Sequence, residues 1–114
     1  MAITYFQDTI FSTESTLSAP AVGTALQVAQ NNFFSTRDYT LIVTVASVDT
    51  NVIIRLEGSV DGTNYAPIIA NQTITANGTT SYSVSGRPVK WVRTNWGSEA
   101  GGTAATVTFN VAAA

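Results

Sequence analysis

An antiparallel β-sandwich is the fold class that the sequence predicts, and three observations carry it. Apolar residues alternate with polar ones in short runs through most of the chain, the two-residue period of a half-buried strand. Turn formers such as Asp49-Thr50-Asn51, Asp61-Gly62, Asn77-Gly78 and Gly86-Arg87-Pro88 separate nearly all of these runs. No stretch sustains a helical period. At 114 residues the chain fits one domain. The expected architecture is all-β: an Ig-like or jelly-roll-like sandwich of about seven to nine strands. Residues 1–23 are expected to form an extended N-terminal arm or edge strand, and residues 24–114 the sandwich.

The elements follow in order. Residues 1–23 are the least regular. Ile3, Tyr5, Phe6, Ile10 and Phe11 are large apolar residues in a short span and need cover. They form either an N-terminal strand and loop or an arm whose anchors bury against a neighbouring subunit. Thr13-Glu14-Ser15-Thr16 resembles a capping box, but Pro20 follows too soon for a helix. Leu26 and Val28 alternate with polar partners in a first sandwich strand, and Phe33 or Phe34 plugs one end of the core.

Tyr39 to Val48 is the clearest strand, with Tyr39, Leu41, Val43 and Val45 inward. Asp49-Thr50-Asn51 turns it into 52–58, with Ile54 and Leu56 inward and Ile53 outward. Strands 39–48 and 52–58 are expected to pair as a hairpin. Asp61-Gly62 turns again, and Pro67 confines the next strand to an edge or a strand end. Asn77-Gly78 is the strongest short hairpin signal. It leads to Ser81–Ser85, with Tyr82 and Val84 inward.

Val89 to Trp96 is a long strand with two readable faces. Trp91 is taken as the central core aromatic, because one Trp buries a large apolar area. Val92 then lies outward, and a bulge near Arg93 or Thr94 would return Trp96 to the core. The last strand, Thr103 to Val111, points Val107, Phe109 and Val111 inward.

Composition excludes several function classes. Charged residues make up only 11% of the chain, against a typical ~25%, so the surface is neutral and hydroxyl-rich. That suits a protein packed into an assembly. Five basic and seven acidic residues provide no field for wrapping nucleic acid. Arg87, Lys90 and Arg93 read as a solvated face. No apolar run is long enough to cross a bilayer. The N-terminus lacks the basic and apolar regions of a signal peptide, so synthesis in the cytoplasm and a complete gene product are expected. With no cysteine and no histidine, disulfides, thiolate metal sites and the commonest general base are all missing.

Other chemistry is weak. Glu57 and Asp61 are close in sequence, but they read as a surface charge and a turn former rather than an acid–base pair. Asp49 and Asp61 fall in successive turns at opposite sheet ends, so no calcium site is expected. The sequons at Asn71 and Asn77 read as accidental. No catalytic residue, metal or cofactor is assigned. Two surface readings remain. Ile53 and Val92, on neighbouring strands in an Ig-like pairing, would make an apolar patch beside Arg55 and Lys90 that fits a protein interface. Alternatively, Tyr65 and Trp96 would stack on sugar rings. Trp96 is carried as a candidate in both.

The run Leu56-Glu57-Gly58-Ser59-Val60-Asp61-Gly62-Thr63-Asn64-Tyr65, followed by Arg87-Pro88-Val89-Lys90-Trp91-Val92-Arg93, resembles a pattern in small β-sandwich proteins of tailed-bacteriophage virions. The resemblance spans about residues 39–111. It implies a non-enzymatic virion protein, foremost a capsid decoration (cement) protein. Its expected partners are the major capsid protein and sister copies, with no nucleic acid and no membrane. A tail or fibre module that binds carbohydrate or a receptor is the alternative.

Overall fold

The computed structural model describes residues 10–13, 16–30, 34–35 and 38–114. All regular structure among them is β. In chain order the strands are β1 (Ile10–Thr13), β2 (Ala21–Val22), β3 (Leu26–Gln27), β4 (Ala29–Gln30), β5 (Phe34–Ser35) and β6 (Tyr39–Ala46). These are followed by β7 (Asn51–Ser59), β8 (Ala66–Ile74), β9 (Gly78–Val84), β10 (Trp91–Ala100) and β11 (Thr106–Ala113).

Two antiparallel sheets make the sandwich. The first has the order β1-β11-β6-β9. The second has the order β2-β10-β7-β8, with β3 also on β10. The small β4-β5 pair stands apart. The pairings nest: β1 with β11, β2 and β3 with β10, β6 with β9, and β7 with β8. A chain folded into one long hairpin and then rolled so that its arms alternate between two sheets gives this order. It is the jelly-roll topology, so of the two sandwich types expected, the chain adopts the jelly roll.

The core lies between the sheets. Tyr39, Leu41, Val43 and Val45 on β6 and Val107, Phe109 and Val111 on β11 face Val52, Ile54 and Leu56 on β7 and Val92 and Trp96 on β10. The strict alternation of β6 and of β11 is what the sequence predicts for strands with one face in the core.

Three expectations change. The strand pair 39–48 and 52–58 is not a hairpin, because β6 and β7 lie in opposite sheets. The turn residues between them arch the chain from one sheet to the other. A turn signal marks a reversal but does not say which sheet receives the next strand. Asn77-Gly78 likewise connects β8 in one sheet to β9 in the other. Asn77 fastens the two arches together, its side-chain oxygen accepting a hydrogen bond from the Val48 N–H at 2.9 Å.

The third change is the face of β10. Val92, Thr94 and Trp96 point inward and Trp91 and Arg93 outward, the reverse of the expected phase. The register explains it. Val92 sits opposite Gly58, Thr94 opposite Leu56 and Trp96 opposite Ile54. Placing Trp91 in the core would have buried Arg93 there too. The irregularity in this pair falls between Trp96 and Ser98, after the tryptophan rather than before it.

The N-terminal segment is partly built into the sandwich. β1 pairs along β11, Leu17 bridges to Val107, and Ala21–Val22 pair with β10. Ile3, Tyr5, Phe6 and Phe33 lie outside the described residues, as do the side chains of Ile10, Phe11 and Phe34.

Candidate functional site

The chemistry of the described residues concentrates on the outer face of the second sheet, where β7 and β10 run side by side. Alternation puts Arg55, Glu57 and Ser59 of β7 on this face, and the register sets Arg93 opposite Glu57 and Asn95 opposite Arg55. Arg55, Glu57, Arg93 and Asn95 therefore meet.

Glu57 is the hub. Its Oε1 accepts from Arg93 Nε at 2.7 Å. Its Oε2 accepts from Arg55 Nε at 2.7 Å and from Asn95 Nδ2 at 3.0 Å. Although it is on an outer face, Glu57 is only 3% exposed, because the two arginines cover it. Burial pushes its carboxyl up, but the hydrogen bonds from Arg93, Asn95 and Arg55 outweigh that and hold it below its ordinary value. The arginine side chains are 36% and 30% exposed, so they keep part of their hydration.

Arg93 also carries the next layer. Its guanidinium carbon lies 3.8 Å from the centre of the Tyr65 ring. Tyr65 ends the loop between β7 and β8, which folds back over this face. Inside the loop, Asp61 Oδ1 accepts from the N–H groups of Thr63 and Asn64, each at 2.8 Å, and from the Ser59 hydroxyl at 2.9 Å. Its Oδ2 accepts from Asn64 Nδ2 at 2.7 Å. The backbone bonds from Asn64 and Thr63, then the side chains of Asn64 and Ser59, hold the Asp61 carboxyl well below the usual carboxylate range. Gly62 adopts φ +80°, and a Cβ there would touch the Trp91 ring. The loop thus lies on Trp91 through a glycine that takes the left-handed turn without strain.

This arrangement is structural. Both carboxylates are ionised and their oxygens are engaged, which makes them poor proton acceptors. No group of three or more acidic, histidine or cysteine side chains that could hold a metal occurs among the described residues. An open cleft of ≈ 370 Å³ lies beside the loop, lined by Gly58, Val60, Pro67, Ile68, Pro88 and Val89 among others. No helix is long and apolar enough to cross a membrane among the described residues.

The expected site residues fare unevenly. Val92 and Trp96 are each 1% exposed and belong to the core, so neither contributes to a surface. Ile53 is half-buried on the outer face, but its partner across the strand is Ser98, several residues from Val92. The Ile53/Val92 patch therefore does not exist. Tyr65 is half-buried with Arg93 on its ring, and Trp96 is enclosed, which removes the paired stacking platform for a sugar. Glu57 is the residue that sequence reasoning missed. Arg55 and Glu57 two apart on one strand face were legible, but Arg93 joins them only through the pairing of β7 with β10.

The first sheet contrasts with this. Its outer face carries Thr40, Ile42 and Thr44 on β6, Thr79, Ser81 and Ser83 on β9, and Thr106, Thr108 and Asn110 on β11. None of these is charged. Hydroxyl pairs Thr16–Thr108, Thr40–Ser83 and Thr44–Thr79 link adjoining chain segments at 2.8, 3.2 and 3.0 Å. Ile42 is 38% exposed in their midst.

No protein-family model matches the chain, and no curated protein matches it in sequence. Among solved structures it is similar to the SPBc2 prophage-derived protein YomS, with a TM-score of 0.57 at 9% identity over 93% of this chain and 95% of that one. Two more distant likenesses are the Tobacco streak virus coat protein dimer and Bacillus endospore appendages that form disulfide-linked pili. The first has a TM-score of 0.46 at 12% identity over 94% and 86% of the two chains. The second has a TM-score of 0.40 at 14% identity over 92% and 84%. At such identities only the fold is common ground.

Proposed function

We propose that this protein is a non-enzymatic structural component of a bacteriophage virion, and specifically a decoration (cement) protein that binds the major capsid protein and sister copies on the head shell. The observation that carries the reading is the fold: a jelly roll built by the nested pairing of β1–β3 and β6–β11, similar in shape to a prophage-derived protein over 93% of this chain. The site supports it in a second way. The buried charge cluster around Glu57 is satisfied internally and stiffens a sheet, and the opposite sheet offers a neutral hydroxyl face. A rigid body with an uncharged flank suits packing in an assembly.

In this reading Ile3, Tyr5 and Phe6 supply anchors that bury against the shell. Because β1 is an edge strand of the first sheet, a deletion that spares it ends before Ile10. Purified protein mixed with heads and with tails should sediment with the heads, and a variant lacking residues 1–9 should fold but stay in the supernatant. Sedimentation with tails alone, or with neither, overturns the head assignment. The glycan-binding alternative has no observation in its favour, since Trp96 is enclosed and the Tyr65 face is occupied.

A further inference from the structure

We infer that two copies of this chain associate edge to edge through β9, joining their first sheets into one continuous sheet. A sheet edge presents unpaired backbone N–H and C=O groups that template pairing with another strand, and proteins usually block such edges with lysine, proline, bulges or shortness. Among the described residues the outer side of β9 has no strand partner. β9 has none of those blocks. It runs seven residues, Gly78-Thr79-Thr80-Ser81-Tyr82-Ser83-Val84, without a charge or a proline. Its register with β6 is unbroken from Tyr39↔Val84 to Val45↔Gly78.

Among the described residues the other edges of the two sandwich sheets are protected. β8, the matching edge of the second sheet, contains Pro67, and its pairing with β7 is irregular at two places. β2 and β3 are two residues each and β1 is four.

The self-complementarity of β9 argues for a second copy as the occupant. A strand with no charge and with threonine, serine, tyrosine and valine pairs with its own copy without like-charge repulsion. A two-fold axis at Ser81 aligns all seven residues: Ser81 faces Ser81 of the second copy, Thr80 faces Tyr82, and Gly78 faces Val84. The side-chain phase is kept, with Tyr82 and Val84 on the core side and Ser81 on the outer face. Tyr82 and Val84 are only half-buried in one copy, and an added strand covers them. The two four-stranded sheets then merge into one of eight. The interface follows the C2 rule that one patch meets itself.

This deepens the sister-copy part of the proposed function, and its test needs no capsid, so the two fail separately. The chain has no cysteine, so a single introduced thiol reports unambiguously. In full-length protein, Ser81→Cys places two thiols on opposite residues, whose Cα atoms lie about 4.5–5.5 Å apart in an antiparallel pair, within disulfide reach. Under mild oxidation Ser81→Cys should form covalent dimer at least about tenfold faster than Ser85→Cys, whose copies are separated along the strands by the same two-fold. Ser81→Lys, on an exposed outward position, should shift the non-covalent dimer to monomer in light scattering while leaving the circular dichroism unchanged. Equal oxidation rates at 81 and 85, or a dimer unaffected by Ser81→Lys, overturns the inference.

Discussion

At the scale of single residues, Glu57 shows how a sheet surface can hold a buried charge. Its two oxygens serve three donors from two strands, and the two arginines among them keep enough exposure to stay partly hydrated. Glu57→Gln should cost about 1–3 kcal/mol in urea denaturation, the range for leaving buried polar groups mismatched. The acid response follows from the same bonds. Glu57 and Asp61 both sit below their ordinary values of 4.5 and 3.8 in the folded chain. The unfolded chain therefore binds more protons in this range. Stability from these groups is complete above about pH 5 and is lost as the pH falls through the lowered folded values. Melting temperature should be flat from neutral pH down to that point and then drop, and Glu57→Gln should blunt the drop. The two tryptophans divide just as clearly. Trp96→Ala should cost about 3–5 kcal/mol as a core truncation, and Trp91→Ala distinctly less. Acrylamide should quench Trp91 and spare Trp96; comparable quenching of both would contradict the face assignment of β10.

At the scale of elements, the sequence was most legible where one face is apolar and the other is not. β6 and β11 alternate cleanly and were read in the right phase. β10 alternates equally well, but both of its faces carry a tryptophan or valine, so periodicity alone could not choose between them. The choice is made by neighbours: Glu57 on the outer face of β7 sits opposite Arg93 and accepts its hydrogen bond. The turns were legible as turns and illegible as connections, since Asp49–Asn51 and Asn77-Gly78 suit an arch between sheets as well as a hairpin. Gly101 is a position where the turn chemistry itself decides. It has φ +89°, and a Cβ would run into Thr50, whose N–H donates to the Ala100 carbonyl at 3.2 Å. Gly101→Ala should therefore destabilise by more than the roughly 1 kcal/mol of a compatible glycine change, measured by the denaturation midpoint, and should loosen the β7–β10 end first in hydrogen exchange.

At the scale of the whole molecule, nested pairing joins strands far apart in the chain. β1 and β11 close the roll, so the sandwich is completed only when both of these strands have docked. That topology was out of reach of sequence reasoning, which found the strands but had no signal for which distant strand each would join. The expected phage likeness rests on the Leu56–Tyr65 run and the Arg87–Arg93 run. The structure gives both a physical role, because they supply Glu57 and Arg93 of the hub and the loop over Trp91. The proposed virion role makes one demand above others: the protein must be part of the particle in quantity. Quantitative mass spectrometry of purified particles, made by the phage or prophage that encodes the chain, measures this directly. The account predicts many copies per particle, in fixed ratio to the major capsid protein and retained through density-gradient purification. Absence from purified particles, with the protein recovered free in the lysate, would contradict it.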